Sequence, residues 1–96
     1  MTRGEHLLTI LSEECAEVIQ RVDKALRFGL NEKEPGQELT NSKRINEELC
    51  HVIAASEMLE IQSNMTQGEA IRIVKEKKEK VEKYLKYSKK CGTLNN

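Results

Sequence analysis

Two Thr-x-Gly-Glu segments, Thr2-Arg3-Gly4-Glu5 and Thr66-Gln67-Gly68-Glu69, constrain this chain most. Each is a capping box. The threonine side chain accepts from the backbone N–H three residues on, and the glutamate reaches back to the threonine N–H. Such a segment starts a helix, and the apolar residues that follow recur every three or four positions, with no alternation that asks for a strand. The first helix is expected to run to Arg27 and end before Phe28-Gly29. A second, capped by Asn41 or Ser42, is expected from about Lys43 to Gln62, and a third runs to Lys90 with Gly92 as its stop. The fold class is therefore all-α, a helical bundle with three to four helices per chain. Residues 1–96 are expected to form a single helical domain, with its core in 3–62 and a C-terminal helix over about 67–90. With no Trp, one Phe and two Tyr, the core must be aliphatic.

The second helix is apolar on two sides. Ile45, Leu49, Val52, Ile53, Ser56 and Leu59 form one face, while Cys50, Ala54, Met58 and Ile61 occupy much of the other. A helix of that kind needs covering twice, which three helices of one chain cannot do while also shielding the first. The expectation is a bundle completed by a partner subunit, as a homodimer or homotetramer. Sixteen acids balance sixteen bases, which argues against a general nucleic-acid surface. No apolar run approaches a membrane span, and no signal-peptide pattern is present, so the expected location is cytoplasmic. Three cysteines at 15, 50 and 91 have no framework spacing and are expected as reduced thiols. A zinc site from Cys15, Cys50 and His51 would lack the usual paired spacing.

Within the first helix, Glu13-Glu14-Cys15-Ala16-Glu17 interrupts an apolar run, where carboxylates are costly to desolvate. Glu14 falls on the edge of the apolar stripe, and Glu17, three residues on, lies about 60° further round. Unpaired, the two would repel each other, and a divalent cation is the simplest reason to place them there. Glu48 and His51 repeat the three-residue spacing on the second helix. If the two helices pack antiparallel, all four can converge across about 8–10 Å between axes. Arg21 and Lys24 continue the first helix one and two turns beyond the acids, where a polyphosphate held at a metal would need cations. Each feature also has a plain structural explanation. Glu17–Arg21 is an ordinary i,i+4 pair, Glu13 a solvated acid, the Lys-Glu run of the third helix a solvated face, and Phe28 a core residue that could alternatively stack on a base.

The pattern Glu-Glu-x-x-Glu, a gap, then Glu-x-x-Asp resembles the signature of the MazG-like all-α nucleoside triphosphate pyrophosphohydrolases, the superfamily of dimeric dUTPases and dCTP pyrophosphatases. The chain looks like a minimal single-domain, phage-type member. The likeness covers Leu7 to about Leu59, closely in Leu7–Glu17 and again in Ile45-Asn46-Glu47-Glu48-Leu49. It implies Mg²⁺-dependent cleavage of a nucleoside triphosphate to the monophosphate and pyrophosphate, with Glu14, Glu17 and Glu48 matching metal ligands. His51 stands where the family has aspartate, and thirty residues separate Glu17 from Glu48, at the long end for the family. Mg²⁺ prefers oxygen ligands, whereas imidazole suits Mn²⁺, Fe²⁺ or Zn²⁺. A shifted metal preference, a weak enzyme and lost catalysis all stay open.

On this reading Glu14, Glu17, Glu48 and His51 hold Mg²⁺ (or Mn²⁺), Glu13 orients or deprotonates water, and Arg21 and Lys24 take the triphosphate. The segment Leu30–Lys43 and a partner subunit enclose the base. Long segments of this kind are functional lids or carry a short helix of their own. Two alternatives come from other classes. One is a catalytically inactive helical oligomerisation or nucleotide-binding module. The other is a carboxylate-bridged di-metal protein built on Glu48-x-x-His51 pairs.

Overall fold

The computed structural model describes residues 1–95, in which the ordered elements are all helical: α1 (Arg3–Phe28), α2 (Asn41–Met58), a 3₁₀ turn (Ile61–Asn64) and α3 (Gln67–Lys90). Contacts divide the chain into two units, Met1–Gln62 and Ser63–Asn96.

In the first unit, Thr2 caps α1 by accepting from the Glu5 N–H at 3.1 Å. Gly29, at φ 102°, closes the helix with its N–H on the Ala25 carbonyl, a conformation that favours glycine. The chain returns through residues 30–40 and packs α2 antiparallel along α1. Glu14 meets His51 midway, and Lys24 and Arg44 meet at Glu34 near the turn. The connection has no helix of its own. Leu30-Asn31 makes a first turn, with the Glu32 N–H donating to the Gly29 carbonyl at 3.4 Å, and Pro35-Gly36 a second, with the Gln37 N–H donating to the Glu34 carbonyl at 2.9 Å and Gly36 at φ 83°.

The cap of α2 is Thr40, whose hydroxyl accepts from the Lys43 N–H, rather than Asn41 or Ser42. Asn41 is engaged elsewhere. It is 2 % exposed, and its Nδ2 donates to the Gly29 carbonyl and to Glu32 Oε1, both at 2.9 Å. Its own N–H donates to the Glu32 carbonyl. Asn41 therefore pins the end of α1 and the return loop to the start of α2. Asn41→Ala, which leaves two part-buried acceptors without their donor, should cost about 1–2 kcal/mol in urea unfolding. A change under about 0.5 kcal/mol would show the pin to be dispensable. At its far end α2 stops at Met58, four residues earlier than expected, because Glu60 takes a left-handed backbone (φ 58°) and turns the chain into the 3₁₀ segment.

The buried apolar side chains are few: Leu7, Ala25 and Ala55. The face of α1 towards α2 carries Leu7, Leu11, Val18 and Ala25. At about 100° per residue, Leu8, Ile19, Val22 and Leu26 lie roughly 60–120° round from that face. Leu49 and Ile53 lie about 80–120° round from the inner face of α2. Because the helices run antiparallel, both offsets turn to the same side of the hairpin. All six side chains are exposed there. Phe28 is exposed as well, with the Arg27 guanidinium 5.1 Å over its ring, so it is not the core residue that the sequence suggested.

In the second unit, Thr66 caps α3 by accepting from the Glu69 N–H at 3.1 Å, and Gly92 (φ 80°) follows its end. Ile71, Val74, Val81 and Leu85 form an exposed stripe along α3, and no residue of this helix is buried. No helix among the described residues is long and apolar enough to cross a membrane.

Candidate metal centre on the helical hairpin

The antiparallel packing brings Glu14 of α1 against Glu48 and His51 of α2. One ligand atom from each of the three lies within 4.8 Å of the others, the geometry of a cation site with two oxygen donors and one nitrogen. His51 Nδ1 is 3.2 Å from Glu48 Oε2 and 3.5 Å from Glu14 Oε2. The carboxylates are recessed, with side chains 26 % and 15 % exposed, while the imidazole is 57 % exposed. The group is thus a half-open notch in the seam between the helices.

Sequence spacing accounts for this placement. Glu14 lies one turn from Leu11 and Val18 and two from Leu7 on the inner face of α1, and Glu48 one turn from Val52 on the inner face of α2. Neither can turn away without exposing its apolar neighbours. The hydrogen bond with Glu48 raises the His51 pKa above its ordinary value; desolvation opposes it as the next-largest influence, and the charges of Glu48, Glu14 and Glu47 add to the rise. The sign follows from linkage. Stability from the imidazolium is complete below the ordinary histidine pKa and is lost as pH rises through the raised one. A cation at this site would have to displace that proton.

Glu17 and Glu13 do not join the group. Both are exposed, Glu17 about 60° and Glu13 about 100° round α1 from Glu14. Both offsets turn to the side on which His51 opens, so they form the rim of the notch. None of the three cysteines joins it either; all are free and exposed. Among the described residues this is the one group of three or more His, Cys, Asp or Glu with ligand-like spacing.

Further along the seam lies a cationic group of which sequence reasoning found only two members. Arg21 and Lys24 from α1 and Arg44 from α2 surround Glu34 of the return loop. Arg44 Nη1 bonds Glu34 Oε2 at 2.7 Å, and Lys24 Nζ is 3.7 Å from Oε1. These partners hold the Glu34 carboxyl below its ordinary range, the Arg44 hydrogen bond first and the Lys24 charge next, with Arg21 adding to them. Stability from this carboxylate is present above its unfolded pKa and is lost as pH falls through the lowered value. Arg21 Nη1 is enclosed with no hydrogen-bond partner among the described residues. Arg44 carried a signal that was passed over: it precedes Glu48 by one turn on the same face. Glu34 carried none, because its position depends on how the loop folds back.

No protein-family model matches the chain, and neither the curated proteins nor the solved structures contain a match to it.

Proposed function

We propose that the chain is a metal-dependent nucleoside triphosphate pyrophosphohydrolase, active as a homo-oligomer, releasing nucleoside monophosphate and pyrophosphate. The observation that carries this reading is the meeting of Glu14, Glu48 and His51 within 4.8 Å, with Arg21 and Lys24 further along the same seam. The resemblance of Glu13–Glu17 and Glu47-Glu48 to the MazG-like pattern points the same way.

The donor set fits a divalent cation. Glu14 and Glu48 supply recessed oxygens and His51 supplies a nitrogen, a mixture that suits Mn²⁺ better than Mg²⁺. When bound, such an ion supplies polarisation of a phosphoryl oxygen and a lowered pKa for the attacking water. Glu17, on the open rim, stands where it can complete the ligand set once substrate closes the notch. Glu13 is the outermost carboxylate and can accept a proton from water held at the rim. Arg21 and Lys24 supply positive charge towards the loop, orienting the triphosphate along the seam.

A panel of common nucleoside triphosphates with Mg²⁺ or Mn²⁺, assayed for pyrophosphate, tests the proposal. Mn²⁺ should support at least about tenfold faster release than Mg²⁺, and His51→Asp, which restores an all-oxygen set, should reverse that order. No release from any nucleotide with either ion would sink the enzymatic reading.

One observation favours the catalytically inactive alternative. His51 Nδ1 lies within 3.5 Å of both Glu14 and Glu48, so an imidazolium there offsets one of the two carboxylate charges without a metal. That alternative keeps a folded oligomer with no heat of metal binding in calorimetry, which separates the two readings.

A further inference from the structure

Arg21, Lys24 and Arg44 bring three cationic side chains to one carboxylate, Glu34. A structural ion pair needs one partner, and the surplus positive charge calls for another anion. Glu32, the second carboxylate beside the cavity here, is already held by Asn41. The Arg44 side chain is only 14 % exposed, and Arg21 Nη1 is enclosed without an acceptor, so two guanidinium groups are partly desolvated around this point. Desolvated guanidinium groups bind phosphate oxygens strongly and in paired geometry. Glu34, by contrast, is 42 % exposed and sits at the start of the Pro35-Gly36 turn, so its side chain can rotate into solvent while Asn41 keeps the loop backbone pinned.

The cavity lined by Lys24, Phe28, Glu32, Glu34, Pro35 and Asn41 is about 170 Å³. That is below the ~300 Å³ at which small-molecule sites begin and too small for a whole nucleotide. Lys24 and Glu34 are shared between this cavity and the cationic group, which Arg21 and Arg44 complete from outside it. Its place along the seam is equally specific. Arg44 precedes Glu48 by one turn of α2, and Arg21 follows Glu14 by two turns of α1, or roughly 6–10 Å along the helices. A triphosphate with one phosphate at the acidic notch would carry its others towards this cradle.

We infer that Arg21, Lys24 and Arg44 form an anion subsite for the pyrophosphoryl end of the substrate, and that Glu34 is its internal occupant, displaced when the phosphates arrive. This rests on the proposed hydrolysis for the identity of the substrate, but the anion site itself does not depend on metal or turnover. The loop carboxylate keeps the cradle filled. Polyphosphate takes over the Arg44 and Lys24 contacts and releases the Glu34 side chain to solvent.

The test is calorimetric titration of the full chain with pyrophosphate in EDTA. Wild type should bind measurably, Glu34→Gln at least about fivefold more tightly, and Arg44→Ala at least about tenfold more weakly. Arg44→Lys, which keeps the charge but loses the fork, should fall between, guarding against a merely misfolded alanine variant, and circular dichroism checks the helices of each. In carbon-detected NMR titrations, pyrophosphate should return the Glu34 carboxyl from its lowered pKa towards the ordinary range. A Glu34→Gln protein that binds pyrophosphate no better than wild type, or a Glu34 titration indifferent to pyrophosphate, overturns the inference. Because no metal is present, a protein that hydrolyses nothing can still pass, and a hydrolase with its phosphates elsewhere fails.

Discussion

Glu14→Gln should reduce pyrophosphate release by at least about a hundredfold while leaving the helical circular dichroism unchanged. The magnitude follows from position. Loss of a group that merely supports a metal ligand already costs roughly 10–100-fold, and Glu14 is one of only two recessed oxygen donors in the notch. Glutamine is isosteric and keeps one carbonyl oxygen, but it loses the negative charge that holds a divalent ion against its own hydration. The fold should tolerate the change because Glu14 is partly solvated and its carboxylate is close to that of Glu48, so the substitution removes a repulsion. A second readout needs no turnover. The Glu14 charge helps to raise the His51 pKa, so the imidazole of Glu14→Gln should titrate lower than in wild type by proton NMR. Retained turnover in Glu14→Gln would refute the assignment of the notch as the reactive centre, whatever the shift at His51.

The helices and the acidic notch could be read from sequence for the same reason: both depend on short-range periodicity. Thr2 and Thr66 cap where the boxes placed them, and Gly29 and Gly92 end helices as glycines with positive φ do. Glu14, Glu48 and His51 meet because each is one turn from apolar residues that fix its helix face, so antiparallel packing alone brings them together. Glu17 lies outside the group for an equally local reason. The 60° between it and Glu14 carries it past the seam and onto the open rim. What the sequence did not reveal depends on contacts made over longer distances. Asn41 looked like a cap, yet its amide is drawn to Gly29 and Glu32 across the turn, and capping falls to Thr40. The end of α2 is set by a left-handed glutamate, with no glycine to announce it. Arg44 could have been placed by periodicity, but its partner Glu34 could not, since a loop residue has no face until the loop has a shape.

A double substitution on the apolar side of the hairpin, Ile19→Glu with Ile53→Glu, should convert the proposed oligomer to monomer and lower the melting temperature by more than about 15 °C. Between α1 and α2 only Leu7, Ala25 and Ala55 are buried apolar side chains, and two of these are alanines. A leucine contributes roughly 1.5–3 kcal/mol when fully buried, whereas a stable domain needs a net 5–15 kcal/mol after conformational entropy is offset. The hairpin interior adds only half-buried Leu11, Val18, Ile45, Val52 and Leu59 to these, and on the proposal of a homo-oligomer the further burial comes from the exposed side formed by Leu8, Ile19, Val22, Leu26, Leu49 and Ile53. A second copy of the same surface is the self-complementary occupant that two-fold assembly provides. Each glutamate removes about 1.5–3 kcal/mol of apolar burial and adds a charge that has no partner in the interface. At about 4–8 °C per kcal/mol for a chain of this size, the lost burial alone lowers the melting temperature by about 12 °C or more, and the two unpaired charges carry the shift past about 15 °C. Sedimentation should give a dimer or tetramer for wild type, with a melting temperature that rises with protein concentration, because association and folding are linked by mass action. A wild-type monomer whose melting temperature ignores concentration would refute the assembly. In that event the notch, which turns to the opposite side of the hairpin, would still hold its three ligands, so the hydrolysis and the oligomer can fail separately.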